Sequence, residues 1–163
     1  MFDLKFISNV KKQDDKMKEI VSAVKKLEKL QTFVGIPADE SARQSGDGIN
    51  NAELLYIHTH GSAINGIPPR SVIEPSVEDD RETIGNILKE AAQAATSGNS
   101  SGAESALNKA GMRGQNVARD WFTNPKNSWA KNKPATVRKK GSAQPLIDTG
   151  ELRKSITYVV KEK

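Results

Sequence analysis

His58 and His60 are the only imidazoles in the chain, and their alternation is what a strand would need to aim two metal ligands at one side. On a helix, residues two apart diverge by about 200° and cannot share an ion. Residues 50 to 61 read as a helix, so the pair is expected to be a helix-end feature in which an imidazole hydrogen-bonds or offsets the negative helix terminus. Asp47 or Glu53 could add a carboxylate, but no second cluster of ligands stands nearby. Glu78, Asp79, Asp80 and Glu82 form an acidic group, read as charge placed favourably at a helix start and not as a carboxylate active site. Asp148-Thr149-Gly150 matches the triplet of aspartic proteases, yet those need two aspartates in a β-rich setting. Here the triplet precedes a helical turn, with Asp148 or Thr149 as its cap and Gly150 permitting a tight approach. No Gly-x-Ser-x-Gly elbow and no phosphate loop occurs. With no cysteine, thiolate chemistry and disulfides are excluded. The expectation is a protein that is not an enzyme and takes no cofactor.

Charge is more informative in its distribution than in its total. The formal net charge is +5, which permits nucleic-acid contact without requiring it. From Trp121 to Ile147 there is no acidic residue, while Lys126, Lys131, Lys133, Arg138, Lys139 and Lys140 are all basic. Residues 123–145 therefore read as a basic arm, irregular until something binds it. Trp129 in its midst could stack on a base or anchor the arm on a neighbouring subunit. Trp129, Lys131, Lys133, Arg138, Lys139 and Lys140 are the candidates for interface or DNA contact, and the sequence leaves both options open.

The elements that must position these residues follow from periodicity. Met17, Ile20, Val24 and Leu27, widened by Val21, give residues 14 to 30 one apolar face. Residues 31 to 36 are rich in β-formers and stop at Pro37, a short strand. Asn50 and Glu53 form a capping signature for a helix with Ala52, Leu55 and Tyr56 on one face, ending at Gly61. Pro68-Pro69 keeps residues 64 to 73 extended or turned. Ile84, Ile87, Leu88, Ala91 and Ala95 mark a third helix. A Gly-Ser loop separates it from a fourth, which opens on a Ser101/Glu104 capping box and carries Ala103, Ala106, Leu107, Ala110, Val117, Ala118 and Trp121. So short a connection favours an antiparallel helix pair. Gly111 and Gly114 cost this helix about 1 kcal/mol each unless something needs close approach there. Ile156, Tyr158 and Val160 alternate as a final strand. The predicted class is α+β: helices packed on a small antiparallel sheet that joins residues 31 to 36 with 155 to 161, an extended basic arm preceding the last strand.

Length and composition bound this assembly. A chain of 163 residues suits one domain, since two would each have a marginal core. An apolar share of 36% beside 28% charged residues is lean for a self-contained globule, so partners are expected to complete part of it. No apolar run approaches the ~20 residues needed to span a bilayer, and Met1-Phe2-Asp3-Leu4-Lys5 lacks the order of a secretory signal. The expectation is a soluble protein without membrane contact.

Three blocks carry a family likeness: Asn51-Ala52-Glu53-Leu54-Leu55-Tyr56-Ile57-His58-Thr59-His60-Gly61, Ile67-Pro68-Pro69-Arg70, and Pro145-Leu146-Ile147-Asp148-Thr149-Gly150-Glu151-Leu152-Arg153-Lys154-Ser155-Ile156. Preceded by Val34-Gly35-Ile36, they resemble, in order and across roughly residues 33 to 160, the neck, tail-completion and virion-morphogenesis proteins of tailed bacteriophages. His58 matches the family pattern, whereas His60 departs from it. The resemblance makes His58, Gly61, Pro68, Pro69, Arg70, Pro145, Leu146, Asp148, Thr149, Gly150, Leu152, Ser155 and Ile156 a fold-determining set. It implies a structural virion protein of the head-to-tail junction, present in the host cytoplasm during assembly. Such a protein would form a homo-oligomeric ring, touch other neck, connector and tail proteins, and make non-specific contact with packaged DNA or clasp a neighbour through the arm. The alternative is a small nucleic-acid-binding module. A hydrolase using His58, His60 and a carboxylate is the weakest reading.

Overall fold

The computed structural model describes residues 4–43 and 48–163. The elements run α1 (Leu4–Lys29), β1 (Leu30–Gly35), a 3-10 turn at Ala38–Glu40, α2 (Asn51–His60), α3 (Ile73–Asp79), α4 (Arg81–Thr96) and α5 (Ser100–Trp121). A 3-10 turn at Pro125–Asn127, then α6 (Pro134–Lys140), α7 (Glu151–Ser155) and β2 (Thr157–Glu162) complete the chain. The class is α+β: helices dominate, and β1 and β2 form one antiparallel two-stranded sheet that ties distant parts of the sequence together. Among the described residues no helix is long and apolar enough to cross a membrane.

The chain divides into two compact units, a finer division than the one domain expected from length. The first, here the helical unit, comprises residues 1–32, 82–111 and 160–163. Its buried contacts are made by small side chains. Ala23 of α1, Ala95 of α4 and Ala103 of α5 form one cluster, and Ala91, Ala106 and Leu107 form another on which Leu27, Leu30 and Val160 pack. The apolar stripe expected on α1 is turned from its predicted bearing. Ala23 is fully buried, whereas Met17, Val21 and Val24 are 59%, 44% and 40% exposed. The backbones meet at alanines, and the longer residues flank the contact instead of filling it. The α4–α5 connection is as short as expected, with Gly98 at φ +83. The capping of α5 differs from expectation: Asn99, not Ser101, is the cap, its Oδ1 accepting the Gly102 N–H at 2.8 Å.

The second unit, here the pocket unit, comprises residues 33–81 and 112–159. Its core joins Leu55, Val72, Ala118, Trp121, Phe122, Leu152 and Ile156, with Val34, Ile36 and Trp129 packed on it. The sequence signals locate its elements. Asn50 and Glu53 make a full capping box at the start of α2. Gly61 ends that helix at φ +73, but with ψ 179 and not the left-handed pair expected. An added Cβ at Gly61 would lie 2.8 Å from the Ile67 oxygen, because the chain folds back at once through an antiparallel Ser62–Ile67 bridge. Gly114 answers a similar need, since a Cβ there would sit 2.8 Å from Cγ2 of Val34. The helix α3, which contains Pro75, was not foreseen. Pro75 falls in the first turn, where its missing N–H has no intrahelical partner to lose.

The 123–145 segment, expected to be irregular, carries a 3-10 turn and α6 and is tethered at several points, among them Asn127, Trp129, Asn132 and Gln144. Asn124 caps the turn, Pro134 starts α6 and Gly141 closes it in the left-handed conformation. Asn127 Nδ2 donates to Trp121 O at 2.9 Å, and Gln144 Nε2 to Phe122 O at 2.7 Å. Side-chain amides satisfying backbone carbonyls replace the missing apolar content.

Candidate functional site

The turn after α2 sets up the site. The Arg70 N–H donates to the His58 carbonyl, so Gly61, the 62–67 loop and Pro68-Pro69 together return the chain to the helix it left. The Arg70 side chain is then only 6% exposed. Its Nε and Nη2 donate to the Ala130 carbonyl at 3.1 and 2.8 Å, and Nη2 reaches Asn132 Oδ1 at 3.5 Å. Asn132 in turn donates to the carbonyls of Ala143 and Gln144, each at 3.2 Å. Arg70 thereby holds the middle of the basic segment directly and reaches its far end through Asn132.

Around Arg70 lies a pocket of about 240 Å³ lined by residues from all three motif blocks, including His58, Leu146, Asp148, Thr149, Gly150 and Leu152, with Arg43, Thr136 and Lys140. A more open lobe of about 640 Å³ shares His58, Arg70, Asn132 and Thr136 and adds Lys131 and Lys133. Lys140 Nζ donates to Gln144 O at 2.8 Å. Burial and the charge of Arg70 lower the Lys140 pKa while Asp148 raises it, burial being the largest influence. Burial also lowers that of Arg70. His58 is pushed down to about 4, first by burial, then by the charges of Arg70 and Lys140. Its Nδ1 is buried without a hydrogen-bond partner among the described residues. His60 is separate from all this: exposed, its ring 4.2 Å from that of Tyr56, its Nδ1 2.9 Å from the Tyr56 carbonyl. Asp47 lies outside the described residues. Among those described, no group of three or more His, Cys, Asp or Glu could hold a metal ion.

The other candidates are dispersed. Trp129 packs edge-to-face on Phe122, centroids 5.9 Å apart, and its Nε1 donates to Ser71 O at 3.1 Å. It is a tether for its own chain. Lys131, Lys133, Arg138 and Lys139 are exposed. The acidic group is engaged in ion pairs: Asp80 takes both arms of Arg113 at 2.6 Å, and Asp79 takes Lys126 at 2.6 Å. The Asp148-Thr149-Gly150 turn places Gly150 at φ +80 as the N-cap of α7, with Thr149 Oγ1 accepting the Glu151 N–H at 3.3 Å. Leu152 and Ile156 are buried in the core, and Ser155 Oγ donates to Leu152 O. Pro145 is half-buried.

Sequence reasoning did not single out Arg119 and Arg153, which clamp this last block. Arg119 donates to the carbonyls of Ile156 at 2.9 Å and Lys154 at 2.8 Å, and Arg153 Nε returns a bond to Arg119 O at 2.7 Å. Their targets are backbone carbonyls, which leave no mark in a sequence. Arg43, Asn132 and Thr136 were missed for the same lack of a local pattern. No protein-family model matches the chain, and comparisons with curated proteins and with solved structures give no match either.

Proposed function

We propose that the chain is a structural virion protein of a tailed bacteriophage, working at the head-to-tail junction in neck assembly or tail completion. The observation that carries this reading is the ordered set of blocks, Val34-Gly35-Ile36, Ala52 to Gly61, Ile67 to Arg70 and Pro145 to Ile156. What supports treating them as one signature is that their residues meet in a single unit: Leu54, His58, Arg70, Asp148 and Leu152 line one pocket. The protein acts through interfaces between copies of itself and with neck, connector and tail proteins, as a closed ring around a DNA channel. It performs no catalysis. Light scattering of the purified chain and electron microscopy of virions test the proposal. Rings with a central channel, and the same density at the junction, are expected. A chain that stays monomeric and is absent from particles would overturn it.

A second reading, nucleic-acid binding, draws on the exposed Lys131, Lys133, Arg138 and Lys139. It loses the stacking tryptophan, since Trp129 is engaged with Phe122 and Ser71. DNA affinity that falls steeply with salt, and falls again when these four are neutralised, would favour it over ring assembly alone.

A further inference from the structure

Arg70 is a buried cation that its own chain solvates but does not neutralise. Its recorded acceptors are a carbonyl and an amide oxygen, both uncharged, and Nη1 has no acceptor among the described residues. Burying a charge without a counter-charge is costly. The cost is compounded by a second cation, Lys140, on the same pocket wall. Leu146, also on that wall, is held at φ +58, a left-handed conformation that a branched side chain resists, and strain of this kind concentrates at ligand sites. The smaller lobe sets Arg70 and Lys140 with Asp148, two cations to one carboxylate. A monoanion matches that difference, whereas a phosphate dianion would also face the carboxylate.

We propose that this pocket is a carboxylate-binding site, in which one carboxylate group seats between Arg70 and Lys140, using the unfilled edge of the guanidinium as a charge-assisted donor. The carboxylate comes either from a small acid or from a side chain of a second copy of this chain. The inference concerns the purified protein and does not depend on the virion reading.

His58 and His60 supply the measurement, one imidazole on the pocket wall and one exposed control. Around His58 stand Arg43, Arg70, Lys140, Asp148 and Glu151, with Lys131 and Lys133 in the open lobe. Acetate is titrated at constant ionic strength while both imidazole resonances are followed, with sodium chloride as the matched series. Neutralising the two cations that depress His58 is expected to move its resonance saturably and raise its pKa from about 4, leaving His60 unmoved. Lys140→Gln is expected to weaken acetate binding at least about fivefold, as loss of a charge-assisted contact would. Lys139→Gln, the same charge change on an exposed neighbour, should leave binding intact, and Arg70→Lys, if folded, should weaken it by keeping the charge but losing the fork. If the carboxylate belongs to a second copy, saturating acetate also lowers the sedimentation coefficient; if it belongs to a small acid, sedimentation is unchanged. Equal movement with chloride, unaltered affinity in Lys140→Gln, or tighter binding of inorganic phosphate than of acetate would each overturn the assignment.

Discussion

Every buried polar side chain among the described residues, Ser41, Asn51, Arg70 and Ser76, lies in the pocket unit, while the helical unit buries alanines with Ile87 and Leu107, beside half-buried Leu27 and Leu30. Alanine contacts demand only close helix approach, and they bury no group that must find a hydrogen bond. Buried polar groups are costly unless each is answered. The pocket unit answers Arg70 and Asn51 across long sequence separations, at Ala130 and Glu151, and Ser41 and Ser76 locally, at Ala38 and Ile73. A fold that carries such demands in one unit and avoids them in the other has its specificity, and its candidate site, in the first.

The largest test of this contrast is Phe122→Ala. Phe122 is fully buried and supports Trp129 edge-on, so the loss is expected to be about 3 to 5 kcal/mol in urea denaturation. Trp129 fluorescence should report release of the 123–145 segment in the same transition. A cost below about 1 kcal/mol would mean that the pocket unit does not depend on its aromatic cluster. In the helical unit the corresponding challenge is overpacking. Ala23 has no exposed surface, and Ala23→Leu is expected to destabilise by about 1 to 3 kcal/mol. A neutral result would show that α1 can shift on its neighbours.

The same contrast decides what could be read from the sequence. The helices α4 and α5 were visible because Ile87, Ala91 and Ala95, then Ala103, Ala106, Leu107 and Ala110, repeat at helical spacing and are buried. The start of α2 was visible because Asn50 and Glu53 satisfy each other locally. The pocket was not. Its motif residues drew notice as fold marks, but their convergence on Arg70 depends on carbonyls at 130, 143 and 144, and any residue type can supply a carbonyl. The 123–145 segment misled for the same reason: lysines and prolines suggest a loose arm, while Asn127, Asn132 and Gln144 hold it through bonds with no periodic pattern. The α1 stripe misled in another way. Periodicity identifies an apolar stripe, but Ala23 shows that the contact can centre beside that stripe, on a small residue.

A smaller effect sharpens the account of the helical unit. Asn99 caps α5 through the Gly102 N–H, so Asn99→Ala is expected to cost about 1 kcal/mol, while Ser101→Ala, at the position the pattern favoured, should be close to neutral. Thermal melts of both variants discriminate directly. A reversed order would return the cap to Ser101.

The last test returns to the pocket unit and has the smallest expected size, because His58 is partly exposed and solvent screens its surroundings. The folded chain holds the His58 pKa at about 4 against an ordinary 6.5. Between these values the unfolded chain binds a proton that the folded one refuses, so stability falls as pH drops through that window and this contribution levels off below about 4. Above 6.5 both states are neutral at this residue and it contributes no pH dependence. His58→Gln removes the titration, so its stability should decline less steeply than that of the wild type from pH 6.5 to 4, whereas His60→Gln should follow the wild-type slope. Parallel urea denaturation at several pH values checks this. Equal slopes in the wild type and His58→Gln would mean that neither burial, the largest influence on this imidazole, nor the charges of Arg70 and Lys140 depress His58.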